Sequence, residues 1–275
     1  VVTNSSQESR ESIRVGLSRI SYFHNVVPAG SGICTVCRQP SPSEMCATCT
    51  CTETALDGRT CDHTFFLSYT DGWNPQGRSQ SAQTMRLYKS THPPERSVAD
   101  IHLLTNIVTW IHDGCIRQAE GGQGWDAATY VPSRTPREGH HPIAKVTTNV
   151  ARLVGDEPSE NGGYRIRRRR IGVGPLDCPR TADAERFAIP DPVRRIIDQK
   201  RVLLVDDMWT TGTSLQSAAA ALKLAGAASV TGLCVSRWLS WDWEPHIPLL
   251  VEVTKRAYDP FSCIAFSRCC GVPRG

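Results

Sequence analysis

A chain of 275 residues, 40% hydrophobic and 21% charged, can bury one substantial core, or one domain with a small appendage. Its formal net charge of +4 is too small to point to nucleic acid or a membrane surface by itself. No apolar run approaches the roughly 20 residues that span a bilayer, and the opening VVTNSSQESRES is polar, so a cytoplasmic location is expected.

Twelve cysteines are many, and four of them form the first readable feature. In CTVCRQPSPSEMCATC, Cys34, Cys37, Cys46 and Cys49 make two C-x2-C pairs. Each tight pair grips one side of a tetrahedral zinc, which takes four thiolates in structural sites. Cys51 and Cys61 are near enough in sequence to replace one ligand. Cys115, Cys178, Cys234, Cys263, Cys269 and Cys270 read as small buried residues, with Cys269-Cys270 either capping the zinc site or idle. Residues 1–58 lack sustained periodicity, as expected of a metal-stapled segment too small to own a core, and residues 59–275 are expected to form the main domain.

The pattern then changes. HTFFLSYT alternates as a strand, and SVADIHLLTNIVTWIHDG places Val98, Ile101, Thr105, Val108 and Ile111 at helical spacing with Gly114 as the stop. WDAATYVPS reads as a strand entering a loop, and HPIAKVTTNVARLVG as a helix with Ile143, Val146, Val150 and Leu153 on one face. Val202–Val205 form a buried strand, SLQSAAAALKLAGA a helix ended by Gly226, and SVTGLCV another buried strand. Strands alternating with helices imply an α/β fold with a mainly parallel sheet and flanking helices.

In such a sheet ligands sit outside the carboxyl ends of the strands. There the sequence reads RVLLVDDMWTTGTSL: Asp206 and Asp207 emerge at the strand end, and Thr210–Ser214 lead into the next helix. Small loop residues let backbone N–H groups converge on a phosphate, and the helix N-terminus adds partial positive charge. Two carboxylates beside a phosphate suit ribose hydroxyls or a magnesium ion. A phosphorylated ribose satisfies both halves.

VLLVDDMWTTGTS resembles the phosphoribosyl pyrophosphate (PRPP) motif of type I phosphoribosyltransferases. With the cysteine pairs ahead of it, the chain is similar to the ComF family of such proteins. The resemblance implies that Asp206 and Asp207 hold the ribose 2′- and 3′-hydroxyls and carry the catalytic site. It implies that Thr210, Thr211, Gly212, Thr213 and Ser214 wrap the 5′-phosphate. RLYKSTHPP looks like the family's lysine-containing segment and places Lys89 near the site, while VPSRTPREGHHP looks like the pyrophosphate loop, with Ser133, Arg134 and Arg137 facing pyrophosphate. The histidines at 140 and 141 receive no catalytic role.

The implied reaction is glycosyl transfer: pyrophosphate, carried with magnesium, leaves the anomeric carbon and a nitrogen nucleophile attacks. The acid that purine-base transferases place in the loop is replaced here by Thr210, which speaks against a purine. The alternative is a non-catalytic PRPP- or nucleotide-binding protein of the same fold, serving regulation or DNA uptake. The run Arg165 and Arg167–Arg170 reads as a solvated stretch, a lid or a nucleic-acid contact, with nucleic acid not favoured. RWLSWDWEPHIP suits a hood over the acceptor.

Overall fold

The computed structural model describes residues 4–74, 77–133, 142–154, 166–175 and 181–271; the side chains of 4–6, 74 and 167 are outside that description. In chain order the elements are α1 (Asn4–Leu17), α2 (Ala47–Ala55), β1 (His63–Asp71), β2 (Trp73–Asn74), β3 (Gly77–Arg78), α3 (Gln80–Tyr88), α4 (Glu95–Ala119), β4 (Ala127–Tyr130) and α5 (Pro142–Leu153). They continue with β5 (Arg167–Arg168), β6 (Gly172–Val173), β7 (Phe187–Ala188), α6 (Asp191–Ile197), β8 (Arg201–Trp209), α7 (Thr213–Leu224), β9 (Ser229–Leu239) and α8 (Ile247–Val253).

The main sheet runs β1-β9-β8-β4-β5, and every pairing in it is parallel. Parallel strands need helical crossovers, so both faces are covered and the strands are apolar on both sides. Side-chain alternation sorts β8 between two cores. Leu203 and Val205 join Met85 and Tyr88 of α3, Ile101 and Leu104 of α4 and Val146 of α5. Val202 and Leu204 join Ala218 and Leu222 of α7, Leu250 of α8 and all four N-terminal cysteines. The cysteine segment therefore packs directly against the sheet. Two-sided burial also explains β1, where every residue after His63 is buried although the sequence suggests one polar face.

Two boundaries differ from the sequence reading. Helix α4 runs through Gly114 to Ala119, because Cys115 and Ile116 extend its buried face; the left-handed Gly121 and Gly122 lie just beyond it. A Cβ at Gly114 would meet nothing within 4 Å, so Gly114→Ala is expected to stabilise the protein by about 1 kcal/mol, raising Tm by roughly 2–4 °C in a thermal melt. Strand β8 continues through Trp209, paired to Arg237 on β9, so the acidic pair lies within the ladder rather than beyond it. Among the described residues no helix is long and apolar enough to cross a membrane.

Candidate active site

The alternation that sorts β8 into two faces also separates its two carboxylates. Asp207 points to the α3 face, where Lys89, the residue capping the C-terminus of α3, brings Nζ to 2.6 Å from Asp207 Oδ1. Asp206 points to the α7 face and pairs in register with Cys234 of β9. Its Oδ1 accepts the Asp207 N–H at 2.9 Å. Both carboxylates are buried.

Burial, and then the neighbouring Asp207 charge, hold the Asp206 carboxyl well above the usual carboxylate range, against the pull of Lys89. Burial works against the charge of Lys89, but Asp207 and Asp206 outweigh it and raise its pKa. The pair and the lysine form one charge-matched group at the sheet's carboxyl edge.

The loop that follows turns on Gly212, left-handed at φ 83° and seated as the N-cap of α7. No side chain caps this helix start, so its first N–H groups face the loop with the helix's partial positive charge. A Cβ at Gly212 would lie 2.1 Å from Trp209 Cζ2. Trp209 is itself buried and edge-on to Phe66, ring centroids 5.4 Å apart. Both backbone conformation and packing thus reserve position 212 for glycine. Thr210 and Thr211 are exposed, and the Thr211 and Thr213 hydroxyls lie 2.8 Å apart. Ser214 Oγ accepts from Arg186 Nη2 at 3.1 Å, a buried cation on the rim of the loop that the sequence did not mark.

A second unmarked residue ties this loop to the cysteines. Arg237 on β9, 3% exposed, donates to the carbonyls of Thr210 at 2.6 Å, Trp209 at 3.3 Å and Trp238 at 2.5 Å. It also donates to Cys37 O at 3.1 Å and Gln39 Oε1 at 2.8 Å. A cleft of about 300 Å³ opens beside it, lined by Thr210, Thr211, Trp238, Trp243, His246 and Gln39. His246 accepts the Ser240 N–H on Nδ1 at 3.0 Å and faces Gln39 with Nε2. Burial, reinforced by Arg237, lowers its pKa to about 4.

The Sγ atoms of Cys34, Cys37, Cys46 and Cys49 all lie within 4.8 Å of one another and are buried. Cys37 and Cys46 Sγ are 3.7 Å apart, close to the edge of about 3.8 Å that zinc–sulfur bonds of about 2.3 Å give a tetrahedron. The Cys46 N–H donates to Cys34 Sγ at 3.3 Å. The donor set thus fits a zinc ion. Cys51 is exposed on α2 and Cys61 packs beside Gly232, and neither belongs to the four-sulfur group. Cys270 is gathered into a different group, and Cys269 is exposed.

Of the remaining sequence candidates, Ser133 is half-buried just after β4. Arg134, Arg137 and the paired histidines lie outside the described residues, as do Arg165 and Cys178. Arg167–Arg168 form β5, the edge strand of the main sheet beside β4, with Arg168 and Arg170 exposed. Backbone pairing to β4, continued by the Arg169 N–H to Ala128 O at 2.8 Å, makes this part of the arginine run sheet rather than loop.

Residues 164–237 match the phosphoribosyl transferase domain family. The match takes in β5 through most of β9, including the acidic pair and the glycine turn. No curated protein matches the chain. Among solved structures, a phosphoribosyltransferase from Corynebacterium diphtheriae is 17% identical, covering 58% of this chain and 95% of its own, with a TM-score of 0.27.

Proposed function

We propose that the chain is a phosphoribosyltransferase of the ComF-like type I group that binds PRPP and transfers its phosphoribosyl group to a nitrogen nucleophile. The observation that carries this reading is the conjunction at the end of β8. Asp206 and Asp207, with Lys89 on Asp207, precede a glycine turn that opens the N-terminus of α7. The phosphoribosyl transferase match over 164–237 supports it.

In the proposed complex the two carboxylates accept hydrogen bonds from the ribose 2′- and 3′-hydroxyls. The Thr210–Ser214 backbone and hydroxyls surround the 5′-phosphate. Lys89 leaves Asp207 for the pyrophosphate, joined by Ser133, Arg134 and Arg137. Magnesium, a hard cation suited to these oxygen donors, arrives with PRPP and neutralises leaving-group charge. As the bond from the anomeric carbon to pyrophosphate breaks, positive charge develops on the ribose, and the buried carboxylates stabilise it. The nucleophile's nitrogen then forms the new bond and loses its proton to the departing pyrophosphate or to water. The aromatic cleft beside Thr210 is the proposed acceptor pocket; its tryptophans offer flat apolar faces. His246, kept neutral, supplies polarity there without charge. The N-terminal segment up to residue 58 is assigned a structural zinc on Cys34, Cys37, Cys46 and Cys49.

Calorimetric titration with PRPP and magnesium should show one site per chain. Pyrophosphate release across a panel of nitrogen nucleophiles should then identify the acceptor. Saturable binding without turnover on any acceptor returns the non-catalytic alternative, and absence of PRPP binding overturns both.

A further inference from the structure

Apart from the residues of the β8 site, a second group of metal-type ligands assembles where the C-terminal tail folds back on α4. His112 and Cys115 lie one turn apart on the buried face of α4. Cys263 and Cys270 come from the tail, and the four ligand atoms lie within 4.8 Å of one another. All four residues are buried. Cys115 and Cys270 Sγ are 3.3 Å apart.

The surroundings favour a cation over four idle side chains. His112 Nε2–H donates to Pro260 O at 2.8 Å, which leaves the lone pair on Nδ1. That Nδ1 is buried and has no hydrogen-bond partner, and one ring nitrogen of His112 belongs to the four-atom group. An imidazole whose outer N–H is tied to a backbone carbonyl while its inner nitrogen faces thiols is the arrangement in which metal-ligating histidines are held. An unsatisfied buried acceptor otherwise costs about 1–3 kcal/mol.

The tail is shaped to match. Cys263 N–H donates to Arg268 O at 3.0 Å and Cys270 N–H to Phe261 O at 2.8 Å, closing a tight antiparallel turn around the Ser262–Cys269 bridge. Arg268 Nη2 lies 3.4 Å from Cys115 Sγ. Three thiolates and a neutral imidazole around a divalent ion leave one negative charge, which this guanidinium offsets. Among the described residues a small apolar group packs here, Ile111 and Phe261 with the cysteines, flanked by Ile13, Ile107, Ala265 and Phe266.

We propose that His112, Cys115, Cys263 and Cys270 bind a second structural zinc, which staples the C-terminal tail to α4. Nitrogen and sulfur donors in a closed, four-ligand set with no open position suit zinc in a structural role. The inference does not depend on the reaction assigned to the β8 site.

The test is elemental zinc per chain in the full-length protein, purified reduced and without chelator, with Cys263→Ser and His112→Ala variants beside it. The C-terminal site is read as the difference between wild type and variant, so it stands apart from the N-terminal cluster. We expect two equivalents in wild type, the loss of one in each variant, and faster proteolytic trimming of the tail. Equal zinc in wild type and both variants overturns the proposal, as does a Cys115–Cys270 disulfide in the non-reduced intact mass. Should these variants fail to fold, zinc per chain in the wild type decides: two equivalents are expected, and one or fewer overturns the proposal.

Discussion

Asp206→Asn is expected to make the folded protein more stable and PRPP binding much weaker. The Asp206 pKa is raised, first by burial and then by Asp207, so the native state holds its proton more tightly than the unfolded chain does. Stability from that proton is fully present below the unfolded value near 4 and is lost as pH climbs toward the raised folded value. Asparagine escapes this loss and still accepts the Asp207 N–H bond. The gain should be on the order of 1 kcal/mol at neutral pH, with a flatter stability–pH curve above pH 4. In the proposed complex the same change sets an NH2 donor beside a ribose hydroxyl where a carboxyl oxygen would accept, and such a mispaired buried group costs about 1–3 kcal/mol, or roughly 10–100-fold in PRPP affinity. Asp207→Asn should weaken PRPP to a similar degree and also release Lys89. Denaturant melts across pH and titration with PRPP check both halves. A less stable Asp206→Asn protein would refute the burial argument, and unchanged PRPP affinity in both folded variants would refute the site.

The second large effect is expected at Arg237. Replacing it by Met keeps much of the side-chain volume but strands the carbonyls of Cys37, Thr210 and Trp238, the first buried and the other two partly buried. Each unsatisfied group costs about 1–3 kcal/mol, and partial rescue by water leaves a net loss of about 3–5 kcal/mol. Arg237→Lys should recover only part, since an ammonium cannot spread its donors over the fan of acceptors that a planar guanidinium reaches. Urea unfolding measures the loss. The glycine turn should loosen as well, because Arg237 holds the Thr210 carbonyl, so in the proposed complex PRPP affinity should fall in protein that remains folded. A loss under 1 kcal/mol would mean that the carbonyls find other partners.

Much of the fold was legible because its signals are local. Val202–Val205 declare a buried strand by themselves, and the alanine-rich run to Gly226 declares the helix after it. The boundaries that shifted were decided by long-range packing. β8 extends past its acidic pair because β9 offers partners as far as Arg237, and α4 ignores Gly114 because its next turn faces the tail cluster. Paired C-x2-C spacing exposes the N-terminal cluster, whereas the C-terminal one splits its ligands between α4 and a tail about 150 residues later. The trace available in sequence was His-x2-Cys on an apolar helix face together with Cys-x6-Cys near the chain's end. Arg237 was hidden for a different reason. It sits in a stretch whose tryptophans draw attention, and an arginine inside a strand announces nothing until its acceptors are in place.

Arg237 also has a neighbour of its own kind. Arg38, buried and left-handed at φ 58°, follows Cys37 directly and turns its guanidinium back onto the Cys34 carbonyl at 3.5 Å. Two cations are therefore walled in beside four cysteines. With the proposed zinc in place, four thiolates around a divalent ion form a dianion, and the two guanidiniums balance it one for one. The segment is thereby matched to a total charge as well as to a ligand count. A Cys49→His exchange would keep four ligands yet leave one buried arginine without its counter-charge, and the imbalance would fall on the side chain that braces the glycine turn at 212.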